Sequence, residues 1–235
     1  MKRWLALGLC ALLMFAPIGP AARAMEYVDY DWELSADEKV MRDAGFIEVH
    51  QANGLIWVKL MYGTTDNLAG YDLYGDLKRA YLHPSAALAL GRAQRLLYAQ
   101  DSTLALCVKD AARPLRVQQA LWDALPDPSL RGYLANPKTG SLHNYGIAVD
   151  VTLVNARTGE ELDMGCPVDT LDAISQPRYE QKFLKEGKLT QQQLDNRLLL
   201  RSVMTQAGFQ TIPNEWWHFQ TMNRAQAKQA STLIP

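Results

Sequence analysis

Apolar and polar residues alternate most regularly over residues 147–154, where every second position is apolar. This period of two predicts a β-strand with one face on a core. The apolar face consists of Ile147, Val149, Val151 and Leu153. Asp150 therefore projects from the opposite face. Shorter apolar runs predict further strands at residues 55–61, 104–108, 161–164, 209–212 and 216–222.

A period near 3.6 residues predicts four helices. They cover residues 35–44, 84–99, 114–125 and 190–207. Ser35 with Glu38, and Thr190 with Gln193, have the spacing of capping boxes, and Gly208 suits a helix end. Helices and strands are mixed without strict alternation, so the predicted fold is α+β, with a central antiparallel sheet and flanking helices.

The first residues have the features of a secretory signal. Lys2 and Arg3 precede an apolar run over residues 4–16, and Ala22-Arg23-Ala24 has the small-x-small pattern of a cleavage site. We predict a signal peptide over residues 1–24 and an exported protein, either periplasmic or secreted. A membrane anchor is the alternative, but a helix needs about 20 apolar residues to span a bilayer.

Charge and cysteine content narrow the range of partners. The formal charge is −1, and removal of residues 1–24 would make it −4 because they hold three basic and no acidic residues. Without a basic run, neither nucleic acid nor an anionic membrane surface is expected as a partner.

The chain that remains after removal of residues 1–24 has two cysteines, Cys107 and Cys166. An exported location permits a disulfide between them, and two unpaired thiols are equally compatible with the sequence.

Two of the four histidines lie close to carboxylates in the sequence. His143 precedes Asp150 by seven residues, and His218 follows Glu215 by three. Two imidazoles and one carboxylate are a typical ligand set of catalytic zinc, which leaves a water position open and a second carboxylate to take the water's proton. A bend at Gly146 would have to bring His143 back towards the strand. The pattern indicates a zinc peptidase, whereas each motif taken alone is more often a packed or turn residue than a ligand.

The same segments resemble a known family. The pattern Ser-x-His-x-x-Gly-x-Ala-x-Asp is complete over residues 141–150, and Glu-Trp-Trp-His is complete over residues 215–218. Residues 61–70, 110–114 and 164–169 resemble three further family segments in the same order. The family is the D-alanyl-D-alanine dipeptidases, zinc D,D-peptidases of family M15 with a hedgehog-like fold. The resemblance implies a single zinc D,D-peptidase domain after the signal.

The resemblance implies roles for five residues in catalysis. His143, Asp150 and His218 would hold one zinc ion per chain, and Glu215 would be the general base. Arg113 would stabilise the oxyanion, since its guanidinium stays charged at any working pH. The implied reaction is zinc-dependent hydrolysis of the D-alanyl-D-alanine dipeptide.

The resemblance also implies four residues that bind or position the substrate. Asp169 and Ser141 would receive the free ammonium group of the peptide, and Tyr62 would lie along the cleft. Asp110 would orient Arg113. Each of the four also fits a plain structural role in a turn, a cap or the core.

The sequence leaves two other activities open and departs from the family pattern at three places. A D,D- or L,D-carboxypeptidase acting on peptidoglycan stems is one alternative, and a non-catalytic module that binds peptidoglycan peptides is the other. Ala112 stands where the family usually has Tyr, Leu68 replaces an aromatic residue, and Cys166-Pro167 alters the stretch before Asp169. These departures affect the expected substrate range more than the chemistry.

Overall fold

Seven strands form two sheets in the part of the chain that the computed structural model describes, residues 34–125 and 127–235. The strands are β1 Ile47–Glu48, β2 Trp57–Val58, β3 Tyr81–Leu82, β4 Leu104–Asp110, β5 Ala148–Asn155, β6 Gln210–Thr211 and β7 His218–Gln220. The main sheet has the order β2-β4-β5-β7-β6, and β1 pairs with β3 in a second sheet. The predicted signal peptide lies outside the described residues.

Most strand pairs of the main sheet are antiparallel, as the sequence predicted. β4, β5, β7 and β6 pair antiparallel in that order. β2 at the edge is parallel to β4, which the predicted antiparallel sheet did not include. The chain between them contains a long helix, the usual connection between parallel strands.

Seven α-helices accompany the strands in the described residues. They are α1 Ala36–Asp43, α2 Val49–Ala52, α3 Pro84–Gln100, α4 Leu115–Ala124, α5 Glu180–Lys185, α6 Gln191–Gln206 and α7 Arg224–Ala230. Both predicted capping boxes are present, at Ser35 and Thr190. None of the helices described combines the length and apolarity that crossing a membrane requires.

The core lies on one face of β4 and β5. Val149, Val151 and Leu153 of β5 are fully buried there, and Leu106 and Val108 of β4 are their neighbours. α3 and α6 pack against each other and against these strands. The other face of β5 is also buried, so polar side chains on that face are enclosed by the loops above the sheet.

A register shift in β4 changes which side chain stands beside Asp150. Val108 pairs with Val151, and the next pair is Asp110 with Asp150, which leaves Lys109 as the extra residue. An extra residue reverses the alternation of side chains beyond it. Asp110 therefore comes directly opposite Asp150, on the face that carries the polar cluster.

Several predicted elements are shorter in the structure because strand length depends on partners that sequence periodicity does not specify. The predicted strand at 55–61 is reduced to β2 and a 3-10 turn at Met61–Gly63. The strand at 161–164 is reduced to one bridge between Val154 and Glu161. Ile147 precedes β5 and packs with Tyr145 instead of the main core. Both cysteines left open by the sequence are free thiols.

Candidate metal centre and active site

Two neighbouring strands and one tight turn bring three distant residues together. Asp150 on β5 and His218 at the start of β7 are direct cross-strand partners, so both side chains leave the same face of the sheet. His143 opens a 3-10 turn that ends at Gly146 with φ +64°. A Cβ atom on Gly146 would lie 2.4 Å from a ring carbon of Phe46. The bend expected from the sequence is present, and it requires glycine.

Three atoms of this cluster form a nearly equilateral triangle. His143 Nε2 lies 3.2 Å from His218 Nδ1 and 3.4 Å from Asp150 Oδ1. His218 Nδ1 lies 3.1 Å from Asp150 Oδ1. Ligand atoms about 2.0–2.1 Å from a tetrahedral zinc ion stand about 3.3 Å apart. The donor set and its spacing therefore fit a metal ion, and the three residues form a group that could hold one.

Hydrogen bonds on the far side of each imidazole turn its other nitrogen towards the cluster. His143 Nδ1 lies 2.9 Å from the carbonyl oxygen of Ala111 and 3.1 Å from Asp110 Oδ2. His218 Nε2 lies 3.3 Å from Gln220 Oε1. A proton donated in these directions leaves His143 Nε2 and His218 Nδ1 as free lone pairs. Such outer contacts are typical of metal-binding histidines.

The cluster is buried and charged. Burial alone would raise the pKa of Asp150, but His143 and His218 pull that pKa well below its usual range. Burial alone would lower the pKa of His143, but Asp150 and Asp110 raise it above its usual value. The carboxylate therefore remains an anion, and it creates a local demand for positive charge that a cation would satisfy.

Glu215 lies beside the triangle without belonging to it. Its Oε2 is 3.8 Å from His218 Nδ1, and its side chain is 19 % exposed. Burial raises the pKa of Glu215 to about 7. A carboxyl group with that pKa exchanges a proton readily near neutral pH, which suits a general base that later acts as an acid.

Arg113 faces the same cluster and is held on several sides. Its Nη2 lies 2.6 Å from Asp110 Oδ2 and 4.0 Å from Asp150 Oδ2. Its Nη1 donates to Gln118 Oε1 at 2.8 Å, and its Cζ lies 4.7 Å from the ring centroid of Tyr62. Burial would lower the pKa of Arg113, but Asp110 and other neighbours raise it well above its usual value. The guanidinium is thus a fixed positive charge in a buried site.

The structure adds three supporting residues that sequence reasoning missed. Tyr74 donates a short hydrogen bond from its hydroxyl to Asp110 Oδ1. Asn144 donates to the carbonyl oxygen of Arg113 at 2.7 Å and accepts from the Ser141 amide. Gln118 fixes the guanidinium, as described above. Tyrosine and amide side chains form no distinctive sequence pattern by themselves. Of these three residues, only Asn144 lies in a segment that resembles the family.

The predicted substrate-binding residues lie in two groups. Tyr62 donates its hydroxyl hydrogen bond to Asp169 Oδ2 at 2.6 Å. Asp169 has φ +63°, and burial raises its pKa to about 6. Ser141 lies in the His143 turn, where its Oγ accepts from the His143 amide at 3.3 Å. Asp110 pairs with Arg113, as predicted from the sequence. Whether these residues bind substrate stays a prediction.

Known proteins resemble this chain over most of its length. The family model described as D-ala-D-ala dipeptidase matches residues 42–234. A D-alanyl-D-alanine dipeptidase of Escherichia coli is 37 % identical over 163 residues, covering 69 % of this chain and 77 % of the relative. The enzyme of the same name from Streptomyces coelicolor is 31 % identical over 75 % of this chain and 90 % of the relative.

A third relative is more distant but equally extensive. The D-alanyl-D-alanine dipeptidase of Enterococcus faecalis is 28 % identical over 190 residues, covering 73 % of this chain and 88 % of its own. The matched region contains every residue of the buried cluster. The chain is therefore a peptidase and belongs to the D-ala-D-ala dipeptidase family, M15.

Proposed function

We propose that the protein hydrolyses the D-alanyl-D-alanine dipeptide with one zinc ion per chain. The main support for this proposal is the triangle formed by His143 Nε2, Asp150 Oδ1 and His218 Nδ1, with sides of 3.1–3.4 Å. Glu215 and Arg113 stand beside this triangle and would perform the chemistry. The names of the relatives support the dipeptide as substrate.

The chain's own residues would divide the work as follows. Bound zinc would lower the pKa of a water molecule towards about 7 and polarise the scissile carbonyl. Glu215 would accept the proton of the attacking water and pass it to the leaving amine. Arg113 would balance the negative charge that develops on the carbonyl oxygen. Asp110 would keep Arg113 in place through their 2.6 Å ion pair.

The free amine of the dipeptide would be bound by Asp169 and Ser141, with Tyr62 along the cleft. The Tyr62 hydroxyl already holds Asp169 at 2.6 Å, so the carboxylate is fixed before substrate arrives. An ammonium group paired with a fixed, half-buried carboxylate forms a charge-assisted hydrogen bond. This contact would select peptides with a free amino terminus.

A pair of substrates distinguishes this proposal from a carboxypeptidase. Metal-loaded protein should cleave D-Ala-D-Ala and should cleave its N-acetylated form at least about tenfold more slowly, because acetylation removes the ammonium charge. Faster cleavage of the acetylated peptide would favour a D,D-carboxypeptidase. An L,D-peptide bearing a blocked amine tests the L,D-carboxypeptidase. If the protein bound these peptides but cleaved none of them, the result would favour a non-catalytic module that binds peptidoglycan peptides.

We also propose that the protein is exported and that residues 25–235 form the mature enzyme, which would act on small D,D-peptides and peptidoglycan fragments outside the cytoplasm. The signal features of residues 1–24 support this location. Amino-terminal sequencing of protein recovered from the periplasm or the medium should begin at Met25. An uncleaved amino terminus on cytoplasmic protein would contradict the proposal.

A further inference from the structure

A cavity of about 650 Å³ opens beside the buried cluster. Its floor includes Thr152 of β5, and its walls include the segment 66–68 and the segment 161–169. Trp216, which follows Glu215, closes one side. None of the three residues of the metal cluster lines this cavity.

The cavity continues directly from the proposed active site. Asp150 and Thr152 are two residues apart on β5, so they stand on the same face of the sheet. Asp169, the proposed receptor of the substrate's ammonium group, lines the cavity itself. A dipeptide whose ammonium group lies on Asp169 would therefore direct the side chain of its first residue towards this space.

The cavity is much larger than an alanine side chain. A volume of 650 Å³ lies within the range of about 300–1,000 Å³ that whole small-molecule ligands occupy. A methyl group is close in size to one water molecule, which takes about 30 Å³. A first residue of alanine would leave most of the cavity to water, whereas a long side chain would fill it.

One polar group in the cavity floor has no partner. Thr152 is 1 % exposed and lines the cavity, yet its hydroxyl makes no hydrogen bond to any described residue. The Thr152 hydroxyl could both accept and donate a hydrogen bond. The hydroxyl faces the cavity and is not sealed inside the core, so a polar group of a ligand is a partner that this position fits.

The charges around the cavity are predominantly negative. Lys109 pairs with Glu161 at 2.7 Å, which neutralises both. Asp163 accepts hydrogen bonds from the Gly165 amide and the Gln193 side chain, but no cation of the described chain lies within ion-pair distance of it. The exposed carboxylate of Asp66 likewise has no ion pair among the described residues. Arg197 acts on Asp163 from beyond ion-pair distance and contributes to the lowering of its pKa, so the unpaired carboxylate at the cavity is that of Asp66, which favours a cationic ligand group.

We propose that this cavity binds the side chain of the substrate's first residue and favours a long side chain that ends in an amine. This inference rests on the proposed function in one respect, namely that Asp169 receives the ammonium group. The preferred substrates would be dipeptides with a lysine-like first residue and a carboxyl-terminal D-alanine. D-Ala-D-Ala would then be the smallest member of a wider class.

The side-chain preference is measured with two dipeptides that differ only in the distal amine. D-lysyl-D-alanine and D-norleucyl-D-alanine have the same carbon chain, so the ratio of their kcat/KM values isolates the amine. We expect metal-loaded protein to favour the lysyl peptide by about tenfold, and raised salt to reduce this ratio because Asp66 is exposed. A ratio near one, with D-Ala-D-Ala turned over, would overturn the inference and leave the proposed function intact.

Single variants identify the groups responsible. Asp66→Asn and Thr152→Val should each lower the lysyl-to-norleucyl ratio by about threefold or more, since each removes one polar partner of the amine. Asp195→Asn is the matched control, because Asp195 is exposed on α6 and does not line the cavity. An unchanged ratio in both cavity variants would overturn the inference.

Cys166 gives a readout that needs no turnover. It lines the cavity and is half-buried, whereas Cys107 is fully buried and its pKa is raised to about 11. A thiol reagent should therefore label Cys166, as located by peptide mapping, and D-lysyl-D-alanine should slow that labelling more than the norleucyl peptide does. Protection without hydrolysis of any dipeptide would keep the cavity assignment and refute the proposed function. If the dipeptides neither protected Cys166 nor were hydrolysed, the cavity assignment and the proposed function would both be refuted.

Discussion

Glu215 combines a raised pKa with a position next to the metal cluster. None of the three candidate ligand atoms belongs to it, so its removal should spare metal binding. Glu215→Gln keeps the size of the side chain but cannot accept a proton, and we expect kcat to fall by about 100-fold or more. The measurements are steady-state kinetics on D-Ala-D-Ala and zinc content by elemental analysis.

His143→Ala is the comparison variant for Glu215→Gln. It removes one corner of the triangle, so zinc content itself should fall. Near-normal turnover in Glu215→Gln would show that another group is the base. Full zinc occupancy in His143→Ala would contradict the proposed ligand set.

The ionised carboxylate of Asp169 is expected to lower the stability of the folded protein at neutral pH, where its proposed role in substrate binding requires the charge. Burial raises its pKa from 3.8 to about 6. A folded state that binds the proton more tightly than the unfolded chain loses stability as pH rises from about 4 to about 6. Asp169→Asn removes this loss, and Asn tolerates the positive φ of +63°.

We therefore expect Asp169→Asn to be more stable than the wild type at pH 7.5 by about 1–2 kcal/mol, since part of the carboxyl reaches solvent. The difference should shrink at pH 4, where both carry a neutral side chain. Urea unfolding at the two pH values measures it. Equal stabilities at pH 7.5 would show that the folded protein does not disfavour the charge. The same variant should raise KM for D-Ala-D-Ala.

At the level of single residues, the sequence predicted the reactive side chains better than the residues that hold those side chains in place by hydrogen bonds. The family segments contain both imidazoles of the metal cluster and their carboxylates, whereas His50, which pairs with Glu48 at 2.7 Å, lies outside them. Tyr74 and Gln118 were missed because each acts through one contact with Asp110 or Arg113, which only the fold creates. Periodicity cannot indicate such contacts, since both residues also fit an ordinary core.

At the level of elements, local patterns predicted the four longest helices well, missed the three short helices α2, α5 and α7, and predicted the strand ends poorly. The boxes at Ser35 and Thr190 fix helix starts by hydrogen bonds within four residues. Strand ends depend instead on a partner strand far along the chain. The register shift at Lys109 is one such feature. This shift brings Asp110 to the face of Asp150, and no local sequence pattern in residues 104–110 predicted the shift.

α6 contributes a buried cation that ties the loop of Asp169 to the rest of the fold. Arg197 is 1 % exposed. It donates to the carbonyl oxygens of Met164 and Ile174 at 2.7 and 3.0 Å. It also lies over the ring of Trp216, 5.5 Å from Cζ to the centroid. One guanidinium therefore holds both ends of the loop and a residue adjacent to Glu215.

Arg197→Met should destabilise the protein by about 3 kcal/mol, because the buried carbonyl of Met164, the partly buried carbonyl of Ile174 and the carboxylate of Glu180 lose a partner. Arg201→Met is the matched control. Arg201 binds the same Glu180 at 2.7 Å but is 23 % exposed, and among the described residues it makes no side-chain hydrogen bond or ion pair with the loop. Its loss should cost about 1 kcal/mol. Chemical unfolding of both variants provides the comparison, and equal losses would refute the special role of Arg197.

At the scale of the whole molecule, the site is closed by parts of the chain that carry no reactive group. The Ile234 amide donates to the carbonyl oxygen of Asn144 at 2.8 Å, and the Leu115 amide donates to the carbonyl oxygen of Ile234 at 2.9 Å. The carboxyl-terminal segment thus joins the His143 turn to the start of α4, just after Arg113. The positions of the imidazole and the guanidinium are therefore coupled through the backbone.

The metal should likewise stabilise the whole fold, because its proposed ligands come from the turn at His143, from β5 and from β7. The unfolded chain offers no such arrangement, so metal binding stabilises only the folded state. At a free zinc concentration of about 100 times Kd, the gain is about 2.7 kcal/mol. For a chain of this size, that gain corresponds to a Tm higher by about 5–10 °C.

Thermal unfolding with and without a chelator measures this effect. Chelation should lower Tm, and added zinc should restore it, while the secondary structure of the folded protein remains. His143→Ala separates site binding from nonspecific effects, since its Tm should not respond to the chelator. If wild-type protein shown to be metal-free kept the Tm of the loaded form, the ion would contribute nothing to the fold. The triangle would then be held by hydrogen bonds among His143, Asp150 and His218 alone.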